Sequence, residues 1–199
     1  MESIEDSLMR LILMYGALQF GDFTLSSGKK SDVYCDLRQI TLRHDAMALV
    51  GYLLWFDIKH RGIQAVGGMS LGADPIVTTL VNWYDYDLDV SAEDYPHMTG
   101  FLIRKEAKEH GVKGRLVGPS IEGKKVVIVE DVTTTGHSAM DAVKVAQEAG
   151  AQVELILSIL DREDGAYDLF EKNDLEFAAL LSLDELREYA GEHPELIHV

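Results

Sequence analysis

Two adjacent acids, Glu130 and Asp131, are followed by a turn rich in hydroxyl groups: residues 133–135 are all threonine, and Gly136 comes next. The acids lie at the carboxyl end of the apolar run 126–129, which is typical of a buried parallel strand. Apolar residues at helical spacing follow the turn, so a helix is predicted to begin there. A strand, a hydroxyl-rich turn and a helix N-terminus predict an anion-binding site, because free backbone N–H groups and the positive end of the helix dipole point to one place.

The two carboxylates indicate what kind of anion this site takes. They are unexpected beside phosphate alone, but they suit a ligand that also carries hydroxyl groups or a divalent cation. A ribose 5-phosphate bound with Mg²⁺ satisfies both requirements. A Walker-type nucleotide-binding loop is disfavoured, because no G-x-x-x-x-G-K-[ST] pattern occurs in the chain. The alternative is an ordinary strand–turn–helix unit whose acids are only solvated.

Strands alternate with helices along the chain, and this order predicts an α/β fold with a doubly wound, mainly parallel sheet flanked by helices. In such a sheet, ligands bind beyond the carboxyl ends of the strands. We therefore expect the polar segments that follow the strands to meet at one edge. The predicted strands are residues 65–68, 98–104, 126–131, 152–160 and 177–181, and the predicted helices are residues 3–18, 43–59, 72–83, 139–150 and 183–189, with a hairpin over residues 20–28 and 33–36.

Three other strand ends carry candidate binding groups. Residues 67–72, Gly-Gly-Met-Ser-Leu-Gly, have glycines at both ends, which lets backbone N–H groups approach an anion closely; a plain tight turn is the alternative. Residues 101–114 hold a basic cluster, for which a solvated basic helix is the alternative. Arg162 follows a third strand, and an arginine paired with a local acid is the alternative there. Because seven of the 18 basic residues lie between positions 101 and 125, that segment is a candidate receptor for a strongly anionic ligand.

Length and composition limit the class of protein. With 199 residues and no internal repeat, low-complexity segment or linker, residues 1–199 are predicted to form one domain. No apolar run reaches 18 residues and no signal-peptide pattern occurs, so we expect a cytoplasmic protein without a membrane partner. The single cysteine, Cys35, fits a reducing compartment and is expected to be a packing residue. The net charge of −16 argues against a nucleic-acid partner.

The acids and the threonine turn together resemble the motif that binds 5-phosphoribosyl-1-pyrophosphate (PRPP) in type I phosphoribosyltransferases. The resemblance implies that Glu130 and Asp131 hold the ribose 2′- and 3′-hydroxyls, while the turn holds the 5′-phosphate. It also implies the fold of that family, with a small hood formed by the terminal segments. Glu130 departs from the aspartate that is usual in first place. Residues 67–72 resemble the family's pyrophosphate-binding loop.

Two further segments resemble the orotate phosphoribosyltransferases within that family. Residues 104–111 match the form R-K-x-x-K-x-H-G of their catalytic loop at every fixed position. Residues 20–31 follow their form F-G-x-F-x-L-x-S-G-x-x-S. This chain has Ser26 where some members have a substrate-contacting lysine, which leaves the lysine pair at residues 29–30 as candidate substitutes. Residues 34–35 are Tyr-Cys where other members have two aromatics, so base contacts from that strand stay open.

The resemblance implies a glycosyltransferase, more narrowly a pentosyltransferase, of pyrimidine (UMP) biosynthesis. It would transfer the 5-phosphoribosyl group from PRPP to orotate, giving orotidine 5′-monophosphate and pyrophosphate. The reaction is expected to require Mg²⁺, held mainly by PRPP and water. The loop is expected to reach into the neighbouring subunit's site, which implies a homodimer. The residues implied to act are Lys105, Lys108, His110 and Asp131 in catalysis, Thr134 and Arg162 in orotate binding, and Arg104, Lys105, Lys108, His110, Glu130, Asp131, Val132, Thr133, Thr134, Thr135, Gly136, His137 and Ser138 in PRPP binding.

Two other functions stay open at this point. A phosphoribosyltransferase for a purine base shares the PRPP motif but lacks the basic loop of residues 104–111. A non-catalytic PRPP-sensing regulator that binds RNA or DNA needs a basic face outside that loop. Residues 126–199 contain four basic residues against 17 acids, which disfavours the regulator.

Overall fold

Strands and helices alternate along most of the chain, as the sequence predicts. The computed structural model describes residues 2–24, 28, 30–83, 97–107 and 114–197. The described strands are β1 (Leu18–Thr24), β2 (Lys30–Cys35), β3 (Ala65–Met69), β4 (Thr99–Ile103), β5 (Leu116–Val117), β6 (Lys125–Thr133), β7 (Gln152–Asp161) and β8 (Phe177–Ser182). The described helices are α1 (Ile4–Met14), α2 (Arg38–Thr41), α3 (His44–Ile58), α4 (Ala73–Trp83), α5 (His137–Glu148), α6 (Ala166–Glu171) and α7 (Leu183–Glu192), with a 3₁₀ turn at Pro194–Leu196. Among these helices, none has the length and apolar character needed to cross a membrane.

Six of the strands form one sheet in the order β5-β4-β3-β6-β7-β8. Every neighbouring pair is parallel except β4 and β5, where Leu102 pairs with Val117 in the opposite direction. This mainly parallel sheet confirms the predicted fold class. Because the parallel strands share one direction, the carboxyl ends of β3, β4, β6 and β7 lie along the same edge, and the predicted binding groups follow those ends.

The central strand β6 is apolar on both faces, because helices cover the sheet from two sides. Val127 and Val129 point into a core shared with α1, α3, α4 and α7. Val126 and Ile128 point into a second core, shared with α5 and α6. Successive side chains of a strand face opposite ways, so a strand packed on both faces shows a continuous apolar run in its sequence. This double packing fixes the position of the acids that follow.

The terminal segments meet and form the predicted hood. Strands β1 and β2 pair as a separate two-stranded antiparallel sheet, and α1 contacts α7. Arg187 on α7 binds both carboxylate oxygens of Asp32 on β2, at 3.0 and 2.9 Å. On the other side, the Ser31 hydroxyl lies 3.4 Å from the side chain of Arg162, which follows β7. The hairpin β1–β2 is therefore held against the carboxyl edge of the main sheet.

The structure differs from the sequence prediction at several element ends. Strand β6 continues through Thr133, so Glu130 and Asp131 lie within the strand rather than at its end. The first helix ends at Met14 instead of continuing to residue 18, because Gly16 adopts a φ of 65° that breaks the helix. Three short elements, α2, α6 and β5, are absent from the prediction, since four, six and two residues carry too little periodic pattern.

Candidate active site

A cavity of about 620 Å³, here called the central cavity, opens where the segments after β3, β4 and β6 meet. The sheet edge thus brings together three of the predicted groups: the acids, the glycine-ended segment 67–72 and the first basic residues after β4. Acids and bases that share one space suit a ligand with hydroxyl groups at one end and strong negative charge at the other. The walls include Arg38, Gly72, Arg104, Lys105, Glu130 and Asp131.

Glu130 is buried beside this cavity, with 6% of its surface exposed. The pKa of its carboxyl is raised to about 7, mainly by burial, against a hydrogen bond with Ser138 that lowers it. The charge of Asp131 adds to the rise in pKa, and the charge of Lys105 opposes it. Within the described part of the chain, the Oε1 atom of Glu130 has no hydrogen-bond partner. The carboxyl of Glu130 has already lost its water on folding. Its unpaired oxygen can therefore accept a hydrogen bond from a ligand hydroxyl without a further desolvation cost.

Glu130 is expected to make the free energy of unfolding depend on pH. Its ordinary pKa is 4.5 and its folded value is about 7, so between these values the folded protein holds a proton that the unfolded chain has lost. The contribution to stability is therefore present below about pH 4.5 and lost as the pH rises through 7, by on the order of 3 kcal/mol. The variant Glu130→Gln lacks this titration, so its stability relative to the parent should increase by about 2 kcal/mol between about pH 5.5 and about pH 8.5.

Urea unfolding of Glu130→Gln and the parent at both pH values measures this difference. The variant Glu122→Gln, at an exposed position, is the matched control for the loss of one carboxylate. Parallel stability curves for the parent and Glu130→Gln would contradict the raised pKa.

Asp131 is held against the glycine-ended segment 67–72. Burial raises the pKa of its carboxyl, and the backbone N–H of Val132 donates to its Oδ1 atom at 2.9 Å. A Cβ atom on Gly72 would lie 2.4 Å from the same oxygen, so position 72 has room only for glycine while Asp131 keeps its place. The peptide bond between Ser70 and Leu71 in this segment is cis. The predicted pyrophosphate loop and the predicted ribose site are therefore in direct contact.

The threonine turn surrounds a smaller cavity of about 110 Å³, here called the turn cavity, lined by Glu130 and residues 132–139. Helix α5 begins at His137, and its N-cap, Gly136, has a φ of 76° and provides no side-chain cap. Helices α1 and α7 instead begin with capping boxes, in which a serine hydroxyl accepts a hydrogen bond from the helix backbone. Among the described residues, the buried Thr133 Oγ1 has no partner. The turn cavity therefore offers the uncapped N–H groups and the hydroxyl that a phosphate site needs.

A third cavity of about 670 Å³, here called the base cavity, lies between the hairpin β1–β2 and the ends of β6 and β7. Thr134 and Arg162, the two residues expected to contact the base, both line it. The backbone N–H of Arg162 donates to the Thr133 carbonyl at 2.8 Å, and its side chain donates to Ser31 Oγ at 3.4 Å. The structure thus brings the two predicted residues together beside the threonine turn.

The hairpin and the start of α2 after it contribute residues that the sequence prediction missed or left open. Lys30 lines the base cavity, where its Nζ donates to Thr24 Oγ1 at 2.8 Å. Asp36 and Arg38 line the central cavity, and the Arg38 guanidinium donates to both Asp36 oxygens, at 2.7 and 3.0 Å, which lowers the pKa of that carboxyl. Asp36 is the last residue of the predicted hairpin and Arg38 follows it two positions later, and this place at a predicted strand end is the signal that could have identified both.

Cys35 behaves as the predicted packing residue. Burial raises the pKa of its thiol to about 12, so the nucleophilic thiolate is not formed at neutral pH. The neighbouring Tyr34 is 41% exposed, and its ring centroid lies 5.6 Å from that of Phe23. Of residues 34 and 35, only Tyr34 therefore provides an aromatic ring.

Two of the predicted catalytic residues, Lys108 and His110, lie outside the described residues, as does Ser26. The basic pair that precedes them, Arg104 and Lys105, lines the central cavity of its own chain. The described part of the basic loop therefore lies with the acids, and the roles of Lys108 and His110 stay predictions.

Comparison with known proteins gives this arrangement a context. No protein-family model matches the chain. An orotate phosphoribosyltransferase of Corynebacterium glutamicum is 41% identical over 170 residues, which cover 85% of this chain and 87% of the relative. One of Mycobacterium avium is 37% identical over 186 residues, which cover 94% of this chain and 96% of the relative. The crystal structure of Mycobacterium tuberculosis orotate phosphoribosyltransferase in complex with PRPP has a TM-score of 0.74 at 31% identity, covering 92% of this chain and 99% of that chain.

Proposed function

This chain belongs to the orotate phosphoribosyltransferase family, and we propose that its three cavities bind PRPP and orotate for transfer of the 5-phosphoribosyl group. The products are orotidine 5′-monophosphate and pyrophosphate, which makes the chain a glycosyltransferase of pyrimidine biosynthesis. The observation that carries the proposal is the position of residues 130–134, because this short stretch contributes to the walls of all three cavities. Ligands in the three cavities therefore meet around one strand end.

The ribose-phosphate end of PRPP fits the two cavities around β6. We place the 5′-phosphate in the turn cavity, where the uncapped N-terminus of α5 stabilises its negative charge. The ribose hydroxyls then donate to Glu130 and Asp131, and the pyrophosphate extends toward Lys105 and the segment 67–72. The phosphate takes no part in the reaction, so its binding energy serves to position the reacting C1′ atom.

The reaction separates charge, and the central cavity has groups of both signs to stabilise it. The bond from C1′ to pyrophosphate breaks before the bond to orotate N1 is far formed, so positive charge grows on the ribose and negative charge on the leaving pyrophosphate. The carboxylate of Asp131, with Glu130 in its ionised form, stabilises the first charge, and Arg104 and Lys105 stabilise the second. Orotate needs little activation, because it is already an anion and the proton on its ring nitrogen N1 is released to water as the bond to C1′ forms.

Mg²⁺ is proposed to arrive with PRPP rather than to occupy a cage of protein ligands. The described ranges contain no group of three or more His, Cys, Asp or Glu side chains that could hold a metal ion. Mg²⁺ typically keeps several waters and binds through substrate phosphates and few carboxylates. The unpaired Oε1 of Glu130, with Asp131 beside it, fits a PRPP complex whose hydroxyls and metal-bound waters need acceptors. When bound, Mg²⁺ would neutralise part of the pyrophosphate charge.

Arg162 and Lys30 are expected to determine the affinity for orotate. Both cations line the base cavity together with three acids, Asp22, Asp32 and Asp164, of which Asp32 is paired with Arg187 at 2.9 Å. The variant Arg162→Lys keeps the charge but loses the planar fork that can bind a carboxylate or carbonyl with two donors. Loss of a charged hydrogen bond should raise KM for orotate about tenfold or more, with little change in KM for PRPP. Lys30→Met should raise the same constant.

Steady-state kinetics with each substrate varied in turn measures both KM values. Arg61→Lys is the matched control, because Arg61 binds Glu176 outside the three cavities. An equal rise in both constants for Arg162→Lys would indicate that the arginine supports the fold rather than the base.

We also propose a homodimer that shares its active sites, on the strength of the match of residues 104–111 to the family's loop. Lys108→Ala damages the loop and Asp131→Asn damages the ribose site, so each homodimer should have strongly reduced activity. If the loop acts on the partner's site, a mixed dimer has one site with both lesions and one with neither. Mixed dimers, isolated by two different affinity tags after co-expression, should therefore recover about half of the parent's activity. Mixed dimers without recovered activity would show that each loop serves its own chain.

Loss of orotate absorbance after addition of PRPP and Mg²⁺ to the purified protein tests the proposed reaction. Adenine, hypoxanthine and uracil in place of orotate test for other acceptor bases, and EDTA tests the need for the metal. Activity with a purine base and none with orotate would overturn the assignment. We place the reaction in the cytoplasm, because the lone Cys35 suits a reducing compartment.

A further inference from the structure

The proposed reaction does not use Arg115, which is hydrogen-bonded to Arg104, the first residue after β4. The backbone N–H of Arg104 donates to the Arg115 carbonyl at 2.9 Å, and the Arg115 Nε–H donates to the Arg104 carbonyl at 2.7 Å. The preceding residue pair, Ile103 and Leu116, belongs to the antiparallel ladder of β4 and β5. The two hydrogen bonds extend this pairing by one residue and fix the point at which the basic pair leaves the sheet.

The guanidinium of Arg115 also reaches the helix that carries the phosphate turn. Its Nη1 donates to Asp141 Oδ1 at 2.8 Å, and its Nη2 donates to the other carboxylate oxygen. Asp141 lies on α5, one helical turn beyond its first residue, His137. Nη2 lies 4.0 Å from the sulfur of Met69, the last residue of β3. One planar group thus touches three segments that surround the central cavity.

We propose that Arg115, held by Asp141, is a positioning residue that sets the distance between the basic pair, Arg104 and Lys105, and the 5′-phosphate turn. This inference rests on the proposed function, which assigns the pair and the turn to opposite ends of one PRPP molecule. A ligand held at both ends needs a fixed spacing between its two sites. Stabilisation of the leaving pyrophosphate also depends on where the cations stand, so a small displacement lowers the rate.

Arginine suits this role better than lysine does. Its planar guanidinium presents donors in fixed directions and binds a carbonyl on one edge and a carboxylate on another, whereas lysine offers one flexible charge. The hydrogen bond from Arg115 lowers the pKa of Asp141, so the carboxylate is charged at neutral pH. The two side chains are 23% and 47% exposed, and ion pairs at such exposure add little to stability. Loss of the pair should therefore appear in the kinetics rather than in the melting temperature.

The test compares Arg115→Ala with Arg61→Ala, which loses the same kinds of contact elsewhere. Arg61 Nε donates to the Asp57 carbonyl at 2.9 Å, and its guanidinium binds both oxygens of Glu176. We expect Arg115→Ala to lower kcat/KM for PRPP on the order of 10–100-fold with KM for orotate unchanged. In the reverse reaction, KM for pyrophosphate should rise. Arg61→Ala should match the parent in all three measurements.

Asp141→Ala is a second variant that tests the same inference, and it can replace Arg115→Ala if that variant does not fold. It keeps the contact of Arg115 with the Arg104 carbonyl, so we expect a smaller loss of the same kind. The double variant should be no worse than Arg115→Ala alone, because the two residues act as one unit. Three results would overturn the inference. The losses of the two single variants could multiply in the double variant, Arg115→Ala could have the kinetics of the parent, or Arg115→Ala could change the kinetic constants for orotate and PRPP equally. Absence of activity in the parent would instead overturn the proposed function.

Discussion

Replacement of Lys105 by alanine is expected to lower kcat by a factor on the order of 10²–10³. Lys105 lines the central cavity together with Glu130, Asp131 and the segment 67–72, where the pyrophosphate of PRPP is proposed to lie. Negative charge on the pyrophosphate grows as its bond to C1′ breaks, so the ammonium group stabilises the transition state more than the bound substrate. For this reason kcat should fall more than KM for PRPP rises.

Rates at saturating orotate and PRPP measure the kcat of Lys105→Ala. Lys125→Ala is the control for loss of one positive charge, because Lys125 begins β6 at its opposite end and binds Glu154 at 3.2 Å. A Lys105→Ala variant with parent-like kcat and a raised KM for PRPP would show that Lys105 binds the ground state only, and its catalytic role would be rejected.

Asp131→Asn is expected to lower kcat/KM for PRPP by about 10–150-fold, the equivalent of a charged hydrogen bond worth roughly 1.5–3 kcal/mol. Asparagine has almost the same shape as aspartate, so its oxygen can still accept the N–H of Val132 and can still lie against Gly72. What the variant lacks is the negative charge that accepts the ribose hydroxyl and faces the positive charge at C1′. KM for orotate should change much less, because the base lies in a different cavity.

Asp57→Asn is the matched control for this substitution. Burial raises the pKa of Asp57 as it does that of Asp131, but Asp57 lies on α3, outside the three cavities of the site. The control should keep the parent's kcat/KM for both substrates. If Asp131→Asn did the same, Asp131 would have no place in the ribose site.

The sequence predicts best those parts of the site that form one continuous stretch. Strand β6, the acids, the threonine turn and the start of α5 follow one another in residues 125–139, and each is indicated by residues close in sequence. The strand-end rule extends the prediction further, because parallel strands share an edge. Thr134 and Arg162 could therefore be expected to meet, and the base cavity contains both.

The parts that the sequence does not reveal depend on contacts between distant segments. The hairpin is held over the sheet edge by Ser31 with Arg162 and by Asp32 with Arg187, which are 131 and 155 positions apart. No periodicity indicates which face of a hairpin will contact the sheet, so the place of Lys30 in the base cavity could not be deduced. The same holds for Arg115, whose partner Asp141 is 26 positions away.

Gly72 illustrates how tolerance to substitution can depend on function rather than on folding. It is only partly buried, and its φ lies outside the range that disfavours other residues, so neither core packing nor backbone conformation requires glycine there. The atoms that an added methyl group would meet belong to the side chain of Asp131, which can rotate away at the expense of the ribose site. At Gly136, by contrast, a Cβ atom would lie 2.8 Å from the ring of Phe170 in a backbone with a φ of 76°. In a mutational scan scored both for cellular abundance and for growth without added pyrimidine, substitutions at position 136 should lower both scores, whereas those at position 72 should leave an abundant protein that no longer supports growth.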